Sequence, residues 1–286
     1  MTSLSPAVAQ WALALRLRKR RAELGLSAAD IAKKAGFTRN YWSLVENDRT
    51  LLSEEKLGFV GQFFQMEAEE IDELQVLRRD ATERGWWREH MTLYSDEVLR
   101  FYGMEHGASS IRVYQNLLIP ALLQSEEYVY ALVSSDIFVR PAEVDQLVEV
   151  RMRRQQRLSG DNPLQFSAVM SEAALLQQIG GHELQRKQLQ ALVDLIEDRP
   201  ETIDLRILPF TANGRGLLGS STMNLLEFAG PSLPALVWHE SVSFHGFIEE
   251  QRQVRDLDLI YRTAQGQALS KADTLVRIKD AIKRLE

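Results

Sequence analysis

The chain has 286 residues, of which 45% are hydrophobic and 26% are charged, a composition that predicts a globular protein with one large domain or two smaller ones. It has no cysteine, which excludes disulfide frameworks, zinc–thiolate sites, iron–sulfur clusters and cysteine nucleophiles. No apolar run approaches the roughly 18–20 residues of a membrane helix, and the basic cluster follows the first apolar stretch, so we expect a cytoplasmic protein without membrane contact.

Charge is distributed unevenly along the chain, although the formal net charge is only −6. Residues 1–50 carry nine Lys or Arg against four Asp or Glu, whereas residues 51–80 carry three against eight. A basic segment on an acidic protein is where phosphate groups would bind. A solvated helix face that happens to be basic fits the same distribution, so charge alone leaves both interpretations open.

Short helices separated by tight turns are predicted over the first 84 residues. They cover residues 8–24, 28–35, 39–47, 53–64 and 67–84. Gly25 ends the first helix, and Ser27 with Asp30 has the pattern of a capping box at the start of the second. Thr38 is predicted to cap the third helix. These features indicate an all-α domain at residues 1–84.

Runs of β-branched and aromatic residues appear after this region. Strands are predicted at residues 111–119, 164–170, 203–208, 222–228 and 235–239. Helices are predicted at residues 121–134, 141–158, 171–179, 182–198, 249–268 and 270–285. This irregular order predicts a mixed α+β domain at residues 85–286, so the fold class expected for the whole chain is α+β.

Residues 28–46 fit two short helices around a glycine turn, which is the pattern of a helix-turn-helix unit. Gly36 stands where the turn needs a positive φ, and Trp42 and Val45 would bury the second helix against the domain. The side chains left pointing outward near the start of that helix are those of Arg39, Asn40 and Ser43. Arginine suits guanine and asparagine suits adenine, so these side chains are predicted to read base edges in the major groove.

Residues 13–80 resemble the Xre/Cro-type helix-turn-helix domains of phage repressors, which have a five-helix, lambda-repressor-like fold. The resemblance is carried by Leu17, Arg18, Arg21, Gly25, Leu26, Ser27, Ile31, Ala32, Gly36, Ser43, Val45, Glu46 and Asn47. It implies an ion pair between Arg21 and Glu46 and binding to double-stranded DNA as a homodimer. The DNA-contacting positions it implies are Thr38, Arg39, Asn40, Tyr41, Ser43, Leu44, Asn47 and Arg49.

Three positions depart from the usual pattern of that family. Ala28 and Asp48 stand where the family usually has glutamine and glycine, and Leu44 stands where arginine, lysine or glutamine is common. These departures leave open a second interpretation, in which the helix-turn-helix is an antitoxin-like protein-interaction module with weak or lost DNA binding.

The rest of the chain resembles the C-terminal domain of unknown function that is attached to Xre-type regulators in filamentous actinobacteria. The motifs that carry the resemblance are Gly85-Trp86-Trp87, residues 118–128, Arg151, Arg154-Gln155, residues 172–175, Gln188-Leu189, residues 205–210 and residues 238–240. Such proteins are often described as antitoxin-like regulators and are typically encoded beside a small partner protein. We expect this domain to receive a signal from a small ligand or a protein partner. We also expect it to supply most of the homodimer contact, because it has more apolar and aromatic surface to offer than the first 80 residues.

Four charged residues of this domain are candidates for a ligand or partner site, namely Arg151, Arg154, Glu172 and Glu240. For the two arginines the alternative is a solvated basic helix face. Glu172 fits the first turn of a helix equally well, and Glu240 also fits an inward carboxylate paired with an arginine.

No pattern in the sequence favours catalysis or a bound cofactor. Residues 214–219 match GxGxxG, but the residues after them alternate as a strand would, which favours a loop between strands over a nucleotide site. No histidine pair has the spacing of a zinc protease site, and no GxSxG elbow occurs. We therefore expect a regulator that is not an enzyme and needs no metal or cofactor.

Overall fold

The computed structural model divides the chain into two compact units. The residues that it describes are 4–213, 222–230, 233–241 and 244–285. The first unit is Met1–Met91 with Leu99–Gly107, and the second unit is Thr92–Val98 with Ala108–Glu286. None of the helices in the described ranges is long and apolar enough to cross a membrane.

The first unit is built from α-helices and a short 3-10 helix. They are α1 (Pro6–Glu23), α2 (Ala28–Lys34), α3 (Arg39–Glu46), α4 (Glu54–Phe63), α5 (Ala68–Thr82), the 3-10 helix Trp86–His90, and α6 (Asp96–Gly107), which belongs to this unit from Leu99 onward. The first four helices begin at a hydroxyl side chain that accepts a backbone N–H, from Ser5, Ser27, Thr38 and Ser53. Their apolar faces meet in a core of Leu13, Leu17, Ile31, Trp42, Val45, Leu52, Leu57, Val60, Phe64 and Leu74.

The first unit extends beyond residue 84, where the sequence predicts the end of the domain. Trp87 is buried, and α6 lies close to the start of α1. A Cβ atom at Gly103 would lie 2.5 Å from Ala7 Cβ and 2.8 Å from the Trp87 indole, so glycine permits this approach. The Ser5 hydroxyl also donates to the Gly103 carbonyl at 3.0 Å. Residues beyond 84 therefore complete the N-terminal unit.

The second unit contains a mixed β-sheet. Its strands within the described ranges are β1 (Ser110–Gln115), β2 (Gln165–Ser171), β3 (Ile203–Leu208), β4 (Thr222–Glu227), β5 (Leu236–Glu240) and β6 (His245–Ile248). They lie in the order β3-β2-β1-β4-β5-β6. Strands β1, β2 and β3 are parallel, and β4, β5 and β6 continue the sheet as antiparallel neighbours. A mixed sheet in one unit and helices alone in the other confirm the predicted α+β class.

Helices connect the parallel strands along the chain and follow the last strand. They are α7 (Glu126–Ser134), α8 (Val144–Gln155), α9 (Ala173–Leu176), α10 (His182–Asp198), α11 (Gln251–Gln267) and α12 (Lys271–Lys283). Helix α11 buries Val254, Tyr261 and Ala264 in a core shared with the sheet residues Val169 and Leu225. Side chains of both faces of the sheet are buried, so adjacent residues such as Val113 and Tyr114 of β1 are both in the core.

Some predicted boundaries and elements are wrong. The helix predicted at 121–134 is a 3-10 turn at Ala121–Leu123 followed by α7, because Ser125 caps a new helix there. The helix predicted at 171–179 is reduced to α9, and both α6 and β6 were missed. The glycine pattern at 214–219 lies outside the described residues.

Candidate nucleic-acid interface

The two helices of the helix-turn-helix unit, α2 and α3, are held by local capping interactions. The Ser27 hydroxyl accepts from the Asp30 N–H at 3.2 Å, and the Asp30 carboxylate accepts from the Ser27 N–H at 2.9 Å and from its hydroxyl at 2.6 Å. The hydrogen bond from the Ser27 side chain is the largest cause of the lowered pKa of Asp30. Gly36 makes the turn between the helices with φ +69°, a conformation that favours glycine.

Helix α3 presents polar side chains on its surface while its apolar side is buried. Trp42 and Val45 lie in the core, as predicted from the sequence. The Thr38 hydroxyl accepts from the Tyr41 N–H at 3.1 Å, so it acts as the N-cap. The exposed residues of this segment are Thr38, Arg39, Asn40, Ser43, Leu44, Asn47 and Arg49. The outward positions near the start of α3 are therefore exposed to solvent, as the sequence predicts.

Tyr41 differs from the other implied DNA contacts because it is half-buried. Its ring lies 5.2 Å from the Phe37 ring, measured between centroids. The Lys56 ammonium lies 5.0 Å from the Tyr41 centroid and 5.3 Å from that of Phe37, within the range of cation–π attraction. Sequence reasoning missed Lys56. The helix dipole favours acidic residues in the first turn of α4, as at the two glutamates before Lys56, so a lysine there was a signal that this side chain has another role.

Asn47 is occupied at the end of α3. Its Nδ2 donates to the Ser43 carbonyl at 2.7 Å, which also accepts from the Asn47 backbone N–H at 3.0 Å, and to the Ser43 hydroxyl at 3.3 Å. The side chain is exposed, and its Nδ2 is directed to Ser43. The carboxamide oxygen is an acceptor, so it would reach a phosphate only through a donor such as water. Asn47 is therefore better placed to fix the turn than to contact a phosphate directly.

Arg21 and Glu46 lie in contact, as the resemblance implies. Arg21 Nε donates to Glu46 Oε1 at 2.5 Å, and the two side chains are 20% and 9% exposed. Arg21 Nη1 also donates to the Leu26 carbonyl at 2.7 Å. One guanidinium thus joins the end of α1, the segment before α2 and the end of α3. These contacts help to fix the orientation of α3 relative to α1.

The four charged candidates of the second unit do not form one site. Arg151 donates to Gln124 Oε1 at 2.7 Å, and Gln155 Nε2 donates to the Gln124 carbonyl at 2.6 Å. Arg154 is buried, so the expected solvated basic face is wrong for this residue. Gln188 completes the arrangement by accepting from the Ser125 N–H at 2.6 Å. These side chains fix the segment before α7, which explains why they form part of a recognisable motif.

Glu172 and Glu240 lie at the ends of different strands. Glu172 forms an ion pair with Arg277 and accepts from the Phe210 N–H at 2.9 Å. Glu240 is exposed, and Trp238 Nε1 lies 3.5 Å from its carboxylate, so the expected inward pairing with an arginine is wrong. Strands β1 and β4 separate β2 from β5, which places the two glutamates about 14 Å apart at ordinary strand spacing.

Comparison with protein families gives two matches. Residues 12–74 match a helix-turn-helix domain, which supports a DNA-binding regulator. Residues 98–280 match a domain of unknown function, DUF5753. No curated protein and no solved structure matches the chain. Because the second match covers more than half of the chain, the protein belongs to the DUF5753 family, in a form that also carries a helix-turn-helix domain.

Proposed function

We propose that the protein is a transcriptional regulator that binds a specific DNA sequence through α3. The observation that carries this proposal is the exposure of Arg39, Asn40 and Ser43 on a helix whose opposite side is fixed in the core. Base recognition in the major groove needs hydrogen-bonding side chains on a rigidly held helix, and arginine and asparagine can bind base edges in a bidentate way. Two exposed lysines of α2, Lys33 and Lys34, add positive charge for phosphate contacts.

The ion pair of Arg21 and Glu46 supports specificity, in addition to stability. A base contact discriminates between sequences only if its side chain is held in one orientation relative to the groove. The pair joins α3 to α1 at the end of α3, while the Thr38 cap holds its start. Both ends of the proposed recognition helix are thus fixed by polar contacts that have no role in the apolar core.

We further propose that the protein acts as a homodimer and that its DUF5753 domain supplies the contact and receives the signal. A single recognition helix covers few base pairs, and regulators of this kind gain affinity by placing two of them about 34 Å apart on a palindrome. We propose a binding function without catalysis or a cofactor, in the cytoplasm where the DNA lies. Light scattering on the full chain at micromolar concentration tests the dimer, and a monomer would contradict it.

A second candidate is the antitoxin-like interaction module with weak DNA binding. It is favoured by apolar side chains that the described structure leaves exposed, above all Ile137 and Phe138, which are 88% and 85% exposed. Leu44 adds an apolar side chain to the surface of α3 itself. A small protein partner encoded nearby would cover such positions.

Selection from a pool of random DNA duplexes separates the two candidates. The immobilised full-length protein should enrich one motif, and the enriched duplex should bind far more tightly than a scrambled duplex. If about 6–10 phosphates are contacted, affinity should fall by a factor on the order of 10³–10⁵ between 50 and 200 mM salt. Enrichment of no motif would contradict the regulator and leave the interaction module as the better explanation.

A further inference from the structure

The turn that follows α3 has the hydrogen bonds of a Schellman motif. The Arg49 N–H donates to the Leu44 carbonyl at 2.8 Å, and the Asp48 N–H donates to the Val45 carbonyl at 3.2 Å. Such a motif needs a residue with positive φ directly after the helix cap, and this residue is usually glycine. Here the position is occupied by Asp48, with φ +48°. Aspartate adopts this left-handed conformation less readily than glycine, so a contact of the Asp48 side chain would help to hold the turn.

Arg100 of helix α6 provides that contact. Its Nε donates to Asp48 Oδ2 at 2.8 Å, and the two side chains are only 11% and 9% exposed. The Asp48 carbonyl is held as well, because Gln10 Nε2 of α1 donates to it at 2.7 Å. A buried carboxylate and a buried guanidinium depend strongly on each other, since removing one leaves the other charged in a poorly solvated place.

The position of Arg100 in the chain makes this contact informative. Arg100 lies in the part of the chain that matches the DUF5753 domain, whereas Asp48 lies in the helix-turn-helix match. Helix α6 is nevertheless packed into the first unit from Leu99 onward, where Gly103 approaches Ala7. The helix-turn-helix is thus completed by residues outside its own family match.

We propose that Arg100 is a positioning residue for DNA binding, which acts by pairing with Asp48 and so fixing the turn that carries Arg49. This inference rests on the proposed function and assigns part of it to the start of the DUF5753 region. Arg49 is exposed beside the end of α3, and its direction is set by the turn at Asp48. A glycine at this position would adopt the positive φ without strain, whereas an aspartate adopts it at a cost and is held there by its pair with Arg100.

The test uses the full-length protein and the duplex that the wild-type protein selects from a random pool, with a scrambled duplex for comparison. Arg100→Gln should weaken binding to the selected duplex about tenfold, equivalent to about 1.4 kcal/mol. The slope of log affinity against log salt should fall by about one, as expected for one lost phosphate contact. Titration against the duplex at a concentration far above the Kd measures the active fraction of the protein, and this fraction should stay unchanged in Arg100→Gln. A role in folding alone would lower the active fraction and leave the affinity of the remaining molecules intact.

Rescue decides whether Arg100 acts through Asp48. Asp48→Gly removes the carboxylate and suits a positive φ, so the double variant Arg100→Gln/Asp48→Gly should bind within about threefold of wild type. Arg140→Gln serves as the matched control, since Arg140 is an exposed arginine paired with Glu143 in the second unit, and it should bind as wild type does.

Three results would overturn the inference. Wild-type affinity and salt slope in Arg100→Gln would show that the residue has no part in DNA binding, while the proposed function would stand. A double variant as weak as Arg100→Gln would show that Asp48 is not the group through which it acts. Failure of the wild-type protein to select any duplex would instead remove the proposed function, and this inference with it.

Discussion

The polar residues that the sequence singles out have opposite roles in the two units. In the first unit, Arg39, Asn40 and Ser43 lie on the surface of α3. In the second unit, Gln124 and Gln188 are buried, and their hydrogen bonds go to neighbouring backbone and side-chain groups. The first set is not needed to build its helix, whereas the second set is needed to build its loop.

This difference changes what a recognisable motif means. A motif of exposed polar residues that the fold does not use is available for contact with a partner, because packing places no demand on these residue types. A motif of buried polar residues is explained by the fold itself, since buried amides must be hydrogen-bonded. The same holds for Tyr261, whose pKa burial raises to about 12 while its hydroxyl lies 2.9 Å from that of Ser167. The buried motif residues Gln124 and Gln188 therefore serve the structure of the second unit.

In the first unit, Glu46 is a buried polar residue that the fold uses, and its substitution gives the largest expected loss of stability. Glu46→Ala should lower the free energy of unfolding by about 3–5 kcal/mol, because it leaves the Arg21 guanidinium without its buried partner. Urea denaturation of the full chain measures this change. Glu73→Ala is the control, since Glu73 pairs with Arg16 in the same unit but both side chains are exposed, and it should cost about 0–1 kcal/mol. Equal effects of the two substitutions would contradict the structural role of the Arg21–Glu46 pair.

Gln188 tests the buried motif of the second unit. Gln188→Met keeps the length of the side chain but leaves the Ser125 N–H and the Leu123 carbonyl without their partner, at about 1–3 kcal/mol for each group. Gln190→Met changes an exposed glutamine on the same helix and should stay within about 0.5 kcal/mol of wild type. Thermal and urea unfolding give both values. If Gln188→Met were as stable as Gln190→Met, the buried motif would have to serve something other than folding.

Arg39 and Asn40 test the exposed motif in the opposite way. Each alanine substitution should weaken binding to the selected duplex by about 1–3 kcal/mol and relax the preference at one base position. Neither should change stability by more than about 0.5 kcal/mol, since both side chains are exposed. Fluorescence anisotropy and thermal unfolding measure the two properties, with Lys187→Ala of the second unit as the control. Wild-type affinity in both variants would show that α3 is not the recognition helix.

The sequence predicted the helix-turn-helix well because its signals are local. Ser27, Asp30, Gly36 and Thr38 act within a few residues of their positions, and each has the role expected from the sequence. Helix α6 was missed for a physical reason. It contains Gly103 and Gly107, which weaken any helical pattern, and both are explained only by their close approach to α1.

Contacts between distant residues were beyond reach of the sequence. Arg100 and Asp48 are 52 positions apart, and neither belongs to a periodic pattern that would suggest a partner. The same is true of Gln124 and Arg151, which α8 brings together across 27 positions. The two glutamates of the second unit were both candidates for a ligand or partner site, but the order of the strands places them apart. Sheet order is a property of the whole domain, and spacing along the chain does not reveal it.

The smallest expected effect concerns Asp30, a surface carboxylate whose polar contacts serve the fold. Its pKa is lowered from 3.8 first by the hydrogen bond from the Ser27 side chain and then by that from the Ser27 backbone. Because the pKa is lower in the folded state, the capping box contributes stability above the unfolded pKa, and this contribution is lost as the pH falls through the folded pKa. Titration of the Asp30 carboxyl by NMR should therefore give a pKa below 3.8 in the wild-type protein. Ser27→Ala should move it upward, whereas Ser53→Ala, which removes the cap of α4, should leave it unchanged. A pKa that does not respond to Ser27→Ala would show that the capping box does not hold the start of α2. Asp30 would then no longer be an example of an exposed polar residue whose contacts serve the fold.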